Sequence, residues 1–242
     1  MDLFNTIKKK SKQFPKKIAL VIENNEYTYD VFYKLIIQTI KNLKKNNFKK
    51  NSIVIIIEDN SLSHILSFFS LSYLNATIVP TGKYYSDHHL ADIAKITNAD
   101  SIIGGKYHCQ IFKKKFKIKN FLCTDKSRNF DYFFDTNNDK FFLRKKIDSN
   151  KNFIITMSSG STSKPKPIIF SQKTKLTRYL LFKKLYKINC KDSIIVTSPI
   201  DHSLGMRTLL LPLLTGGTCI IMKKFIVAQY CELIKKYNIT FS

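Results

Sequence analysis

Nine consecutive residues, Ser158-Ser159-Gly160-Ser161-Thr162-Ser163-Lys164-Pro165-Lys166, concentrate the groups most suited to holding an anion. Hydroxyls and free backbone N–H groups can line a concave anion site, and Gly160 lets the backbone turn sharply. Lys164 and Lys166 add positive charge against phosphate oxygens, which makes a triphosphate the natural ligand. The stretch is not a Walker loop, because no Gly-Lys-Ser/Thr closes it. The same composition suits a solvated, serine-rich hairpin turn, and the residues alone leave both readings open. The cysteines, Cys109, Cys123, Cys190, Cys219 and Cys231, show neither metal-knuckle nor redox-pair spacing. Buried free thiols in a reducing, cytoplasmic setting are expected, and no metal site is predicted.

The loop needs strands to carry it. Residues 153–157 read as a strand entering it, 167–170 as a strand leaving it, and 173–186 as the helix that follows. Upstream, 18–23 and 26–29 read as a hairpin turning at Asn24-Asn25. A helix capped by Asp30 then carries Phe32, Leu35, Ile36, Ile40 and Leu43 on one face. The β-branched run 52–57 reads as a strand covered on both faces. A helix capped by Asn60 or Ser61, a strand over 76–79 ended by Pro80, a helix from Ser86 and a strand over 101–103 come next. Residues 106–150 are less regular and read as strand and long loop. Strands over 194–197 and 218–222 alternate with helices over 204–214 and 227–237, and 238–242 look like a strand just begun. The β-α-β order predicts an α/β fold, doubly wound, with parallel sheets flanked by helices.

Lys+Arg number 41 and Asp+Glu 17, a formal net charge of +24. Lysine is spread along the chain beside Asn and Ile, as a compositional bias would spread it. The densest cluster, Lys113-Lys114-Lys115 with Lys117 and Lys119, is expected in a solvated loop or strand edge. Aromatics do not alternate with basic residues as a stacking platform requires, so a nucleic-acid partner is disfavoured. Hydrophobic residues make up 44% of the chain, enough to build a core. No apolar run reaches the roughly 18–20 residues of a membrane span. Stretch 193–222 is interrupted by Asp201, His202 and Arg207, and no apolar region follows Lys8-Lys9-Lys10 as in a secretory signal.

The loop resembles the phosphate-binding signature of the adenylate-forming (AMP-binding) superfamily, Thr-Ser-Gly-Thr-Thr-Gly-x-Pro-Lys-Gly, matched by Ser158-Ser159-Gly160-Ser161-Thr162 and Lys164-Pro165-Lys166. The resemblance covers essentially the whole chain. Pro15-Lys16-Lys17-Ile18-Ala19-Leu20 with Tyr27-Thr28-Tyr29 resembles the family's opening hairpin, and 71–80 its Leu-x-Ala-Gly-Ala to Val-Pro segment. Asp201-His202-Ser203-Leu204-Gly205 resembles its Phe-His-x-x-Gly motif, and Leu211-Pro212-Leu213-Leu214 followed by Gly216-Gly217-Thr218 the turn beyond. This implies an enzyme that joins a carboxylic acid to ATP, with Mg2+, and passes the acyl group to the thiol of CoA or of a carrier protein. By resemblance Ser158, Ser159, Gly160, Ser161, Thr162, Ser163, Lys164 and Lys166 bind ATP phosphates. His202, Ser203 and Gly205 border the acyl pocket, with Gly205 giving room for the ligand.

The sequence departs from the pattern at four places. Ser163 replaces a loop glycine, Pro167 the glycine after the last lysine, Gln172 a histidine, and Asn75 the glycine before Ala76. Pro167 removes a backbone donor; Asn75 is a mild change, because Asn tolerates the left-handed region. Family members are about twice as long. The resemblance therefore implies that residues 1–242 are the N-terminal part of one adenylation domain, inactive alone. It lacks the Tyr-Gly-x-Thr-Glu motif with its magnesium-binding glutamate, the ribose-binding aspartate, and the C-terminal domain with its catalytic lysine.

Ile200-Asp201-His202-Ser203 also resembles the Phe-Asp-x-Ser of peptide-synthetase domains. His202 lies ten positions before Pro212, the register of the acyl-ligase histidine, which leaves Asp201 one position early for an amino-group aspartate. A fatty or aryl acid is favoured over an amino acid. The alternatives are an amino-acid adenylation fragment, a non-catalytic ATP-binding remnant and a basic nucleic-acid-binding protein.

Overall fold

The computed structural model describes residues 1–116, 118–135, 147–158 and 166–242. The chain forms two compact units. The first comprises residues 1–35, 59–62 and 173–242, the second 36–58 and 63–172. The architecture is the α/β layering predicted, with parallel sheets flanked by helices.

In the first unit, helix α1 (Leu3–Gln13) buries Leu3, Phe4 and Ile7, and Asp2 caps it by accepting from the Asn5 N–H. The sequence reading gave this stretch no element; the apolar spacing of 3, 4 and 7 was its helical signal. Strands β1 (Ile18–Ile22) and β2 (Asn25–Thr28) form a hairpin whose turn falls at Glu23-Asn24, one residue earlier than predicted. Both turn residues have positive φ, 49° and 63°, the geometry whose twist suits a two-residue hairpin. Helix α2 (Tyr29–Lys45) starts here, and its cap is Thr28, not Asp30: the Val31 N–H donates to Thr28 Oγ1 at 3.3 Å. Asp30 lies in the first turn, where a carboxylate favours the helix dipole.

Strand β9 (Ser193–Val196), helix α7 (Ser203–Thr215), strand β10 (Thr218–Ile221) and helix α8 (Val227–Tyr237) complete this unit, with sheet order β2-β1-β10-β9. Phe241 bridges in parallel to Ile194, in keeping with the strand begun at 238–242. Tyr29, fully buried, ties the end of α7 to this layer. Its hydroxyl donates to the Gly217 carbonyl at 2.8 Å, with the Leu213 and Pro212 carbonyls at 3.1 and 3.3 Å. The Pro212 carbonyl already accepts from the Gly216 and Gly217 N–H groups, so the buried hydroxyl chiefly serves the Leu213 and Gly217 carbonyls.

The second unit is a six-stranded sheet, β6-β5-β3-β4-β7-β8. Strands β3 (Ile53–Ile57), β4 (Thr77–Thr81), β5 (Ser101–Gly104) and β6 (Asn120–Cys123) are parallel; β7 (Asn152–Ser158) joins β4 in parallel and β8 (Lys166–Ser171) antiparallel. Helices α3 (Leu62–Leu74), α4 (Asp87–Thr97) and α5 (Lys106–Lys115) connect the strands. Asn75 sits at φ 54°, the left-handed conformation its predicted tolerance allows. At the carboxyl ends of β3, β4 and β6, buried Glu58 receives Lys83 Nζ at 2.9 Å and the Thr124 hydroxyl at 2.5 Å.

Three expectations are corrected. Pro80 does not end its strand; it pairs in register with Ile56 inside β4. Its missing N–H costs no ladder bond to β7, whose register pairing with β4 among the described residues is at Ile78 and Ile154. Lys113-Lys114-Lys115 form the last turn of α5, not a loop or strand edge. Positive charge is favoured at a helix C-terminus, and only Cys109 and Phe112 of α5 are buried, too few to mark the helix by periodicity. Lys113 and Lys119 join Lys45, Lys126 and Arg128 around an open groove of about 720 Å³; Lys117 lies outside the described residues. The thiols are not uniformly buried either: Cys109, Cys123 and Cys219 are, Cys190 is half-buried and Cys231 is exposed on α8.

Tyr29→Phe removes the donor under the α7 terminus and leaves the carbonyls. Stability should fall by about 1–2 kcal/mol, read as a lower urea midpoint with an unchanged slope.

Candidate functional site

The predicted phosphate loop hangs between β7 and β8 in the second unit. Ser158 and Lys166 are cross-strand partners, and Ser158 Oγ donates to the Lys166 carbonyl at 3.2 Å. Ser159, Gly160, Ser161, Thr162, Ser163 and Lys164, with Pro165, lie outside the described residues. The structure thus places the two ends of the predicted site and brings them opposite each other. Five of the six register pairs, from Ile154↔Phe170 to Ser158↔Lys166, run without interruption to the mouth of the loop. Pro167 pairs with Met157 on β8, the outermost strand of the sheet, where a residue without an N–H is best tolerated. Gln172, where the family has histidine, is buried at the first position of α6 (Gln172–Leu185).

The other predicted residues lie at the start of α7 in the first unit. His202 is the N-cap position; its side chain makes no capping hydrogen bond and is 57% exposed. Asp201, beside it in sequence, is buried, with Oδ2 3.9 Å from His202 Nε2. The chain reverses sharply before this helix, and Gly205 permits it. A Cβ at that position would lie 2.1 Å from the Pro199 carbonyl oxygen and 2.7 Å from that of Ser198. The space at Gly205 is therefore filled by backbone. Asn60 holds the same segment. Its amide donates to the Ser198 and Met222 carbonyls at 3.2 and 2.9 Å and accepts from the Ile200 N–H at 2.9 Å. The sequence reading made Asn60 a candidate helix cap and missed this bridge, since its partners lie about 140 to 160 residues away, beyond any local pattern.

A small cavity of about 20 Å³ opens between α6 and α7, lined by Lys175, Arg178, Ser203 and Arg207 with Tyr179 and Met206. Lys175 and Arg178 are three apart on α6, and Ser203 and Arg207 four apart on α7, so each pair shares a helix face. Tyr179 fixes the helices to each other by a 3.0 Å hydrogen bond to Thr215 Oγ1, and the Arg207 guanidinium lies 4.3 Å from the Phe182 ring centre. Burial, then the neighbouring Arg178, lowers the Lys175 pKa to about 8. Among the predicted residues Ser203 reaches this cavity; Lys175, Arg178 and Arg207 were missed, because basic residues are too common in this chain to stand out.

Comparison with known proteins places these features. The AMP-binding enzyme family matches residues 7–242. The 4-coumarate:CoA ligase 1 of Petunia hybrida is 26% identical over 230 residues, 90% of this chain and 42% of that protein. The uncharacterized acyl–CoA ligase YhfT of Bacillus subtilis is 22% identical over 99% of this chain and 48% of its own length. The chain thus spans less than half of these curated relatives. Among solved structures, o-succinylbenzoate CoA synthetase from Bacillus subtilis, complexed with its acyl-adenylate intermediate, superposes with a TM-score of 0.88 at 14% identity, over 100% of this chain and 61% of that one. The N-terminal subdomain of NpsA from Klebsiella oxytoca gives 0.81 at 17% identity, over 99% and 58%. At such identities these likenesses establish the fold. Among the described residues no helix is long and apolar enough to cross a membrane.

Two substitutions test the geometry. Gly205→Ala drives a methyl into backbone and should cost on the order of 3 kcal/mol, read by urea titration. Lys175 has a folded-state pKa below its ordinary value, so the unfolded chain binds more protons between about pH 8 and 10.5. Stability gained from this residue should rise with pH across that window. Lys175→Met should flatten the rise, as compared by urea midpoints from pH 7 to 10.5.

Proposed function

Because this chain belongs to the AMP-binding enzyme family, we propose that residues 1–242 form the N-terminal part of an adenylation domain that activates a carboxylic acid with ATP. The observation carrying this reading is the ladder that sets Ser158 opposite Lys166 at the mouth of the serine-rich loop. Ser158, Ser159, Ser161, Thr162 and Ser163 would offer hydroxyls, Gly160 close backbone approach, and Lys164 and Lys166 charge to the β- and γ-phosphates. Mg2+ would be bound chiefly through the nucleotide phosphates, which offer it hard oxygen ligands.

In the proposed reaction a substrate carboxylate oxygen bonds to the α-phosphorus as the bond to the pyrophosphate oxygen breaks, and pyrophosphate leaves. A thiol of CoA or of a carrier protein then attacks the acyl carbon, releasing AMP. The protein's part is to hold the phosphates and align the carboxylate with the α-phosphorus. His202 and Ser203 would border the acyl group, and Gly205 would set the reversal that presents them. Relatives named for 4-coumarate and for long-chain fatty acids support an aryl or fatty acid over an amino acid. Cysteines free of disulfides suit a cytoplasmic setting.

Residues 1–242 should bind ATP, and Lys166→Ala should weaken binding about tenfold, the worth of one charge-assisted contact, as read by titration calorimetry. Absence of binding, or binding indifferent to Lys166, would overturn the phosphate-loop assignment. The polypeptide alone should not catalyse carboxylate-dependent exchange of pyrophosphate into ATP with fatty, aryl or amino acids. Groups that act as a unit lose nearly all transition-state stabilisation when several are missing, so robust exchange would refute the inactivity.

A further inference from the structure

Helix α6 leaves three leucines in the open. Leu180, Leu181 and Leu185 are 51, 61 and 63% exposed, and Leu181 and Leu185, four apart, share one face. Exposed leucines grouped in this way mark a surface that meets something apolar. Positive charge surrounds them. Residues 172–187 hold six Lys or Arg and no Asp or Glu, and residues 3–13, which form α1, hold Lys8, Lys9, Lys10 and Lys12 and no acid. The two helices line an open groove of about 830 Å³, with Lys9, Lys10, Lys12 and Lys183 on its walls beside Met1 and Leu180. The acid at its edge, Asp2, is engaged at the start of α1, where its carboxylate accepts from Asn5 N–H and Asn5 Nδ2 at 2.8 and 2.9 Å. Burial, and then Lys183, hold the Lys10 ammonium below its ordinary range, so cations from the two helices meet across the groove.

We propose that the α1–α6 face docks on the surface of an anionic phospholipid bilayer, with Leu180, Leu181 and Leu185 entering the headgroup layer and the lysines around them meeting lipid phosphates. At 14 residues, and charged along its length, α6 suits lying on a bilayer and not crossing it. The mixture of side chains selects this partner. Lysine is depleted at the centre of protein–protein interfaces, and here lysines stand among the leucines. Leucines give nucleic-acid bases nothing to stack on. A bilayer surface presents phosphate and acyl carbon at adjoining depths, and the long lysine stem lets an ammonium stay at phosphate level while a leucine beside it goes deeper. The proposal is independent of the phosphate-loop reading.

The test is co-sedimentation of residues 1–242 with vesicles of phosphatidylcholine alone and of phosphatidylcholine mixed with phosphatidylglycerol, at low and high salt. The anionic vesicles should bind the protein about tenfold or more tightly than the neutral ones, and high salt should weaken this binding. Leu180→Ser, Leu181→Ser and Leu185→Ser together should weaken it by about tenfold or more at low salt. Lys9→Gln, Lys12→Gln and Lys184→Gln together should weaken it on the order of a hundredfold, at about fivefold for each charge near the surface. Removing as many exposed lysines from α5, by Lys113→Gln, Lys114→Gln and Lys115→Gln, should leave it nearly unchanged. All nine positions lie on α1, α6 or α5, and melting curves confirm that each variant is folded. Equal binding to the two kinds of vesicle, or binding to neither, would overturn the proposal. Binding that ignores the leucine substitutions, or that falls equally with the α5 lysines, would overturn it too, because it would reflect the charge of the whole chain. A dimer in solution that the leucine substitutions dissolve, without vesicle binding, would give this face to a second copy and overturn it as well.

Discussion

The close approach of Gly205 to the Pro199 carbonyl is the constraint on which the first unit's candidate site depends. Strand β9 must give way to α7 within six residues, and the chain does so by folding 198–200 back over the first helical turn. No side chain fits between these two backbones. The reversal leaves peptide groups in the interior, and Asn60 meets them with its whole amide, both donor and acceptor. The reversal also sets the direction of each side chain at the start of α7. Asp201 turns into the protein, His202 faces solvent, and Ser203 and Arg207 turn towards α6.

The far end of α7 is held as firmly. Gly216 adopts φ 98°, and both Gly216 and Gly217 N–H groups donate to the Pro212 carbonyl at 2.9 Å. A left-handed glycine and a doubly used carbonyl make a sharp stop, and the Tyr29 hydroxyl fills the remaining demand from the side. Pro212, which lacks an N–H, sits in the last helical turn without breaking it. Both ends of α7 are thus tied, and between them Arg207 lies against the Phe182 ring.

Most of this architecture could be read from residue order. The β-branched run at 53–57 and the alternation of apolar strands with amphipathic helices are local signals, and they led to the parallel sheets observed. The misses have physical causes. Helix α5 is marked by few buried residues and ends in lysines, so its charge hid its period. Pro80 was read by a rule that holds where a strand is paired on both sides along its length, and the register pairing of β4 with β7 among the described residues is at Ile78. Of the candidate site, the loop and the His202 motif were legible because they are contiguous. Asn60 and the cations at 175, 178 and 207 were not, because their meaning comes from chain segments brought together from afar.

The β7–β8 ladder separates two jobs that a binding loop usually has to do at once. Closing a loop costs entropy, and in many turns the loop's own residues meet that cost through special backbone angles. Here the paired strands meet it, since Ser158 and Lys166 are already face to face. The geometry at the mouth is therefore carried by strand pairing, which reaches from Ile154 and Phe170 to Ser158 and Lys166 without a break.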